Sequence, residues 1–153
     1  MRNTYTETIA LLERLHRQFL ELVKLELDGL GIHDINNVQA LLLFNIGDTE
    51  TAVGELTLRG CYIGSNVSYN LKKMVASGYL TQERSMHDRR VVHVRVTEKS
   101  AKLCDQLQQM HQRQLEMLHQ ADITEGGLQA LARTLGRLER FWVRVPEVGR
   151  PAA

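Results

Sequence analysis

The stretch from Tyr79 to Val96, "YLTQERSMHDRRVVHVRV", changes the period of the chain, and that change narrows the folds open to it. Before it, apolar residues recur every three or four positions, as on one face of a helix; within it they alternate with polar ones, as on a strand. "YLTQER" and "VVHVRV" flanking "SMHD" predict two antiparallel strands with a tight connection. Alternation puts Val92, Val94 and Val96 on one side of the second strand and His93 and Arg95 on the other. The expected fold class is mainly α (α+β), with one short basic hairpin set among helices.

The rest of the chain reads as those helices. Tyr5, Ile9, Leu12, Leu15, Phe19, Leu22 and Leu30 mark one long amphipathic helix closing near the glycines of "DGLGI". In "NNVQALLLFNIG", Asn36 can cap the free backbone donors and Gln39 stands three residues on, an imperfect capping box. The run Leu41 to Phe44 predicts burial on nearly all sides. "TETAVGELTLRG" predicts a brief helix with Thr51 as cap, Leu56 inward and Gly60 at its end. "YIGSNVSYNLKKMVASGYL" carries a stripe of Val67, Leu71, Met74 and Val75, with Gly78 placed to end it. After the hairpin, Thr97 and Glu98 open a second long helix with Ala101, Cys104, Leu107, Met110, Leu115 and Leu118 on one face. Thr124 caps a last one, striped by Leu128, Leu131, Leu135, Leu138 and Trp142; Pro146 is expected to stop it, leaving 146–153 as a flexible tail.

Length and charge bound the function. A chain of 153 residues predicts a single domain, and 43% hydrophobic with 24% charged residues predicts that it folds. No apolar run could span a bilayer, and "MRNTYTETIA" lacks a signal peptide's apolar core, so the expected address is cytoplasmic. The formal net charge of +1 conceals an asymmetry. From Arg59 to Arg95 there are seven Lys/Arg against two acids, a net of +5, which leaves −4 for the remainder. A basic middle third is the footprint of a segment that meets a polyanion.

Short helices, a helix with a polar and basic face, and a basic hairpin form the outline of a winged helix-turn-helix, whose recognition helix enters the major groove while the wing reaches neighbouring backbone or minor groove. Lys72 and Lys73 are candidates for phosphate contacts. Ser65, Asn66, Ser68 and Tyr69 are candidates for base edges, with Asn66 suited to adenine. Arg84, His87, Asp88, Arg89 and Arg90 occupy the hairpin. A polar helix face alone is as often merely solvated; the hairpin beside it decides for DNA.

The order of these segments, "NNVQALLLF", "TAVGELTLRG", "GSNVSYNLKKMVASGYL" and "ERSMHDRRVVHVRVTEKS", resembles the MarR family of bacterial transcriptional regulators over essentially the whole chain. The most specific match is the wing, where the family's Asp-x-Arg pattern falls on Asp88 and Arg90. The resemblance implies that this pair braces the wing by a salt bridge and presents arginine to the minor groove. It also implies a homodimer on a palindromic operator, with residues 1–31 and 98–145 as dimerisation helices and 34–97 as the DNA-binding region. Repression by promoter occlusion, relieved by a small aromatic effector, is the expected mode, with Phe19, Val23, Phe44, Tyr62 and Trp142 as candidate lining. The chain departs from the family at Tyr69, where an arginine is frequent, at Gly64, in place of proline, and at Ser100, in place of glycine.

Other readings attach to single residues. Cys61, just before the recognition helix, is a candidate redox switch or a small residue in a turn; Cys104 lies on an apolar stripe and reads as core. The two cysteines do not make a disulfide framework or a zinc site, and His111 and His119 lack identifiable metal-ligand partners. His87 and His93 could add positive charge near phosphates at mildly acid pH. No phosphate loop, nucleophile elbow or metal cluster is visible, so no catalytic residues, metal or cofactor are expected. The competing class is a winged-helix module that uses its basic face for protein contact.

Overall fold

The computed structural model describes residues 1–47, 50–59 and 64–148; of residues 57–59, 64–66, 119 and 146–148 it describes the backbone alone. The element order is α1 (Arg2–Gly29), α2 (Asn37–Ile46), β1 (Thr51–Ala52), α3 (Val53–Arg59), α4 (Gly64–Ala76), β2 (Leu80–Arg84), β3 (Val92–Val96), α5 (Glu98–Leu118), a 3-10 turn (His119–Ala121) and α6 (Glu125–Val148). The contacts divide the chain into two units, 1–110 and 111–153.

In the first unit, α2 carries the centre of the core, with Ala40, Leu42, Leu43 and Ile46 all buried, as its unbroken apolar run requires. Val67, Leu71 and Met74 of α4, Val94 of β3, and Leu103, Leu107 and Met110 of α5 belong to the same cluster. Helix α1 contributes less than its stripe predicts. Val23 and Leu27 are buried, whereas Tyr5, Leu15, Leu22 and Leu30 are exposed. The buried residues fall in its C-terminal part, where the side chain of Asn37 donates to the Leu20 carbonyl at 3.0 Å.

The two-stranded wing expected is present as β2 and β3, and a third strand joins it: the sheet is antiparallel in the order β1-β3-β2, with β3 at its centre. Thr51, expected as a helix cap, is instead a buried strand residue paired with Val94, while Ala52 pairs with His93. A β-branched residue suits that place, and a strand of two residues is too short to show alternation. On the other edge Leu80 pairs with Val96 and Arg84 with Val92. The connection is longer than the expected "SMHD": the Ser85 N–H donates to the Val91 carbonyl at 2.9 Å, so the loop spans Ser85 to Val91.

Local signals at element ends set the path of the chain. Asn36 and Gln39 form a complete capping box, stronger than the partial one expected. Thr97 Oγ1 accepts the Ser100 N–H at 3.3 Å, and Thr124 Oγ1 accepts the Gly127 N–H at 3.2 Å, capping α5 and α6. After α4, Gly78 adopts φ +77°, its N–H donates to Val75, and the Tyr79 N–H donates to Met74. This is a Schellman ending, which a residue with a Cβ would strain. Helix α6 does not stop at Pro146 but runs to Val148. A proline this close to the end removes one rung from a helix already long enough to propagate. Of the tail expected at 146–153, residues 149–153 lie outside the described residues.

Tyr79 fastens the wing's first strand to the rest of the unit. Its ring is buried, and its hydroxyl donates to Asp34 Oδ1 at 2.7 Å. Lys99 of α5 donates to Asp34 Oδ2 at 2.5 Å and to the Ser77 carbonyl at 2.9 Å, with its ammonium 4.1 Å from the Tyr79 ring centre. Ser100, fully buried, donates its hydroxyl to the Tyr79 carbonyl. The residue that stands in place of the family's glycine therefore has a hydrogen bond of its own. Lys99 first and the Tyr79 hydroxyl second hold the Asp34 carboxyl below its ordinary pKa, while burial first and the hydrogen bond to Asp34 second push the Tyr79 phenol up. Because the folded-state pKa of Asp34 lies below its unfolded value, its stabilisation is present above that unfolded value and is lost as pH falls through the folded pKa. Asp34→Asn is therefore expected to lower the urea midpoint at neutral pH, modestly because both charges are about half exposed. The gap from wild type should close as pH falls below the ordinary carboxylate value of 3.8; a gap that stays constant with pH would show that the charge contributes nothing.

Candidate nucleic-acid interface

Helix α4 separates its residues cleanly by periodicity. At about 100° per residue, Val67, Leu71 and Met74 share one side and are buried, while Ser68, Tyr69, Lys72 and Lys73 share the opposite side and are exposed. Lys73 holds its ammonium 5.0 Å from the Tyr69 ring centre, so the aromatic ring and the charge stand as a unit. Ser65 and Asn66 lie in the first turn of the same helix, with only their backbone described.

The wing tip is braced by its own backbone. Ser85 Oγ accepts the N–H groups of His87 (3.2 Å) and Asp88 (3.3 Å), the Val91 N–H donates to the Asp88 carbonyl (2.9 Å), and Asp88 Oδ1 accepts the Arg90 N–H (2.9 Å). The expected salt bridge between the side chains of Asp88 and Arg90 is not what holds the tip: among the described residues Asp88 bonds the Arg90 backbone instead. In a turn, a carboxylate two residues before an N–H reaches it directly, as an Asx-turn does. Arg84, His87, Arg89 and Arg90 are all exposed, and none makes an ion pair among the described residues.

Not every cation of the basic segment is available in this way. Arg95 donates through Nε (2.9 Å) and Nη2 to Glu50 Oε2, and His93 Nδ1 lies 3.3 Å from Glu50 Oε1. Glu50 raises the Arg95 pKa above its ordinary value and ties the chain just before β1 to β3. Sequence reasoning missed two further polar links: this one and the hydrogen bond from Gln39 Nε2 to Asn70 Oδ1 (3.1 Å), which joins α2 to α4. Both pair residues far apart in sequence, so no local signal marks them.

Of the expected effector lining, Val23 is buried in the core, and Phe19 and Phe44 are partly buried and pack against it. Trp142 is partly exposed on α6, and Tyr62 lies outside the described residues, as does Cys61. Cys104 packs against the core, as its stripe predicts. No group of three or more potential metal ligands occurs among the described residues, and no described helix is long and apolar enough to cross a membrane. A cleft of about 710 Å³ does open elsewhere in the first unit, lined by Leu30, Ile32, Tyr79, Lys99, Lys102 and Leu103, among others.

A buried helical core, an outward basic helix face and a braced cationic wing define a winged-helix DNA-binding protein, and residues 35–100 match the family model of the winged helix DNA-binding domain. The chain is 38% identical over 146 residues to the exopolysaccharide II synthesis transcriptional activator ExpG of Rhizobium meliloti (strain 1021), covering 95% of this chain and 75% of that protein. Its fold is similar to that of Streptococcus pneumoniae FabT in complex with DNA (TM-score 0.73, 20% identity, 92% of this chain and 99% of that one). It is likewise similar to Staphylococcus aureus MarR in complex with salicylate and kanamycin (TM-score 0.74, 19% identity, 92% and 93%). The chain belongs to the MarR family of winged-helix transcriptional regulators.

The bracing of the wing makes a distinction that can be measured. Asp88→Asn keeps an oxygen for the Arg90 N–H and is expected to preserve its hydrogen-exchange protection, whereas Asp88→Ala should lower that protection about fivefold, the loss of roughly one exposed hydrogen bond. If Asp88→Asn opens the tip as far as Asp88→Ala does, the charge rather than the backbone bond holds it.

Proposed function

We propose that the protein binds a palindromic operator as a homodimer, with α4 in the major groove and the wing on the adjacent backbone or minor groove. The observation that carries this reading is the sorting of cations. Lys72, Lys73, Arg84, Arg89 and Arg90 stand exposed on α4 and the wing, while Arg95, Lys99 and Lys102 are engaged with Glu50, Asp34 and Glu98. Lys72, Lys73, Arg84 and His87 serve phosphates. Ser65, Asn66, Ser68 and Tyr69 read base edges, Arg89 and Arg90 enter the minor groove, and Asp88 keeps the loop that presents them closed.

Dimerisation is supported by apolar surface that a monomer would leave in water. Leu11, Leu15, Leu22 and Leu25 are exposed on α1, and Leu131, Phe141, Val143 and Val145 on α6. A two-fold pair would set two copies of α4 one DNA turn apart.

An effector acts by favouring a dimer whose recognition helices no longer match that spacing. The cleft bounded by Leu30, Tyr79, Lys99 and Leu103 is a second place for it beside the expected aromatic set, because it touches the turn that closes α1, the residue between α4 and β2, and α5. Its size suits a small molecule. The sign of regulation follows from where the operator lies. Occlusion of a promoter was the expectation; the name of the 38% identical relative favours activation, and a reporter that rises with the protein would support it.

Capture of sheared genomic DNA by the purified protein, followed by sequencing, tests the central claim. The expected result is a palindrome whose binding weakens steeply with salt. Lys72→Ala, Lys73→Ala or Arg90→Ala should each reduce the salt slope by about one, while Tyr69→Ala changes the sequence preference and keeps the slope. Failure to retain any duplex at low salt would leave the basic face to a protein partner.

A further inference from the structure

Base recognition requires more of α4 than an exposed face. Side chains of a helix end about 5–6 Å from its axis, so a rotation of about 20° carries them sideways by about 2 Å. Hydrogen bonds to base edges tolerate a spread of only about half an ångström. The apolar stripe of Val67, Leu71 and Met74 chooses which side of α4 faces the core, but apolar contact is non-directional and leaves such a rotation cheap. Something directional must fix it.

Among the described residues, Asn70 stands at the boundary between the buried and exposed sides of α4 and is bound by Gln39 of α2. Gln39 is 5% exposed, so it cannot reach DNA itself. Its side chain is held at both ends. Oε1 accepts the Asn36 N–H at 3.1 Å, which leaves Nε2 as the donor to Asn70 Oδ1 at 3.1 Å. Its own N–H donates to Asn36 Oδ1 at 2.8 Å, and the adjacent Asn37 donates from Nδ2 to the Leu20 carbonyl of α1 at 3.0 Å. A series of short polar links thus runs from α1 through the cap of α2 to the middle of the recognition helix.

We infer that Gln39 is a positioning residue for base recognition: through Asn70 it fixes the rotation of α4 about its axis, and through the α2 cap it ties that rotation to α1. This rests on the operator-binding reading above. It makes Gln39 and Asn70 determinants of discrimination rather than of affinity, since phosphate contacts by Lys72 and Lys73 survive a small rotation that base contacts do not.

The test compares two duplexes: the one that wild-type protein selects from genomic fragments, and a shuffled duplex of the same composition. Gln39→Met keeps the length of the side chain and removes the amide. It is expected to lower the affinity ratio between the duplexes about tenfold, a loss on the scale of one mismatched base pair, with the shuffled-duplex affinity and the salt slope unchanged. Asn70→Ala should cause a similar loss, and the double variant should be no worse than Gln39→Met, because both remove one bond. Asn36→Ala, which weakens the cap and leaves the Gln39–Asn70 bond, should lower the melting temperature and keep the ratio. Asn70→Ala leaves both cap hydrogen bonds in place and carries the same expectation should Gln39→Met fail to fold. The inference is overturned if Gln39→Met discriminates as well as wild type, if the two losses add, or if Asn36→Ala loses as much discrimination. A wild-type protein that selects no duplex removes the operator-binding reading itself, whereas selection by wild type and Gln39→Met alike removes only the inference.

Discussion

The junction at Tyr79 is the constraint on which the DNA-facing part depends. Helix α4 ends three residues before it, β2 begins one residue after it, and its hydroxyl and carbonyl are bonded to the α1–α2 connection and to α5. The left-handed Gly78 turns the chain, and the Met74 carbonyl receives the Tyr79 N–H, so recognition helix and wing leave a single fixed point in defined directions. Thr97 completes the closure: its N–H donates to the Tyr79 carbonyl at 3.2 Å and its hydroxyl to the Gly78 carbonyl at 2.8 Å, binding the end of the wing back to its beginning. A buried phenol with a paired hydroxyl serves here because its ring fills the core while its oxygen reaches the edge.

Electrostatics in this protein is divided by role rather than by amount. The count of +5 between Arg59 and Arg95 includes a cation used internally, Arg95, whose pairing with Glu50 fastens the chain before β1 to the central strand. Lys99 is likewise spent on Asp34, between the α1–α2 connection and α5. Among the described side chains of that segment, the cations left outward stand on α4, at Arg84 at the end of β2 and on the wing loop, which is held by the Ser85 hydroxyl accepting two backbone N–H groups and by the Asp88 bond to the Arg90 N–H. Bracing a loop through its backbone has an advantage over bracing it through its arginines: the guanidinium groups keep their full charge for a polyanion.

What the sequence makes legible follows the range of each interaction. Asn36 with Gln39, Thr97, Thr124 and Gly78 act within a few residues, and all of these ends stand where composition and spacing place them. The outward set on α4 is readable for the same reason, since 3.6-residue periodicity sorts one helix without knowledge of its neighbours. The links that fix geometry are invisible because their partners are distant: Gln39 and Asn70 are 31 residues apart, Glu50 and Arg95 are 45, and Asp34 and Lys99 are 65. Strand β1 escapes notice because two residues cannot show a period, and its neighbour β3 creates it by offering an edge. The buried part of α1 is illegible for a related reason: its apolar residues encircle more than one side, and tertiary packing rather than periodicity selects Val23 and Leu27.

On the proposed reading, affinity and geometry are carried by different residues with different tolerance to change. Ser68, Tyr69, Lys72 and Lys73 are exposed, and substitution there costs the fold little, within about 0.5 kcal/mol for an ordinary surface site. Gln39, Ser100 and Tyr79 are buried and bonded, and removing any one loses a hydrogen bond within the frame, at about 0.5–1.5 kcal/mol before lost packing is counted. Tyr69 in place of the arginine frequent in the MarR family is a change of the first kind. It alters what the helix offers a base while the frame that aims the helix stays intact, and this is how one winged-helix frame can serve operators of different sequence.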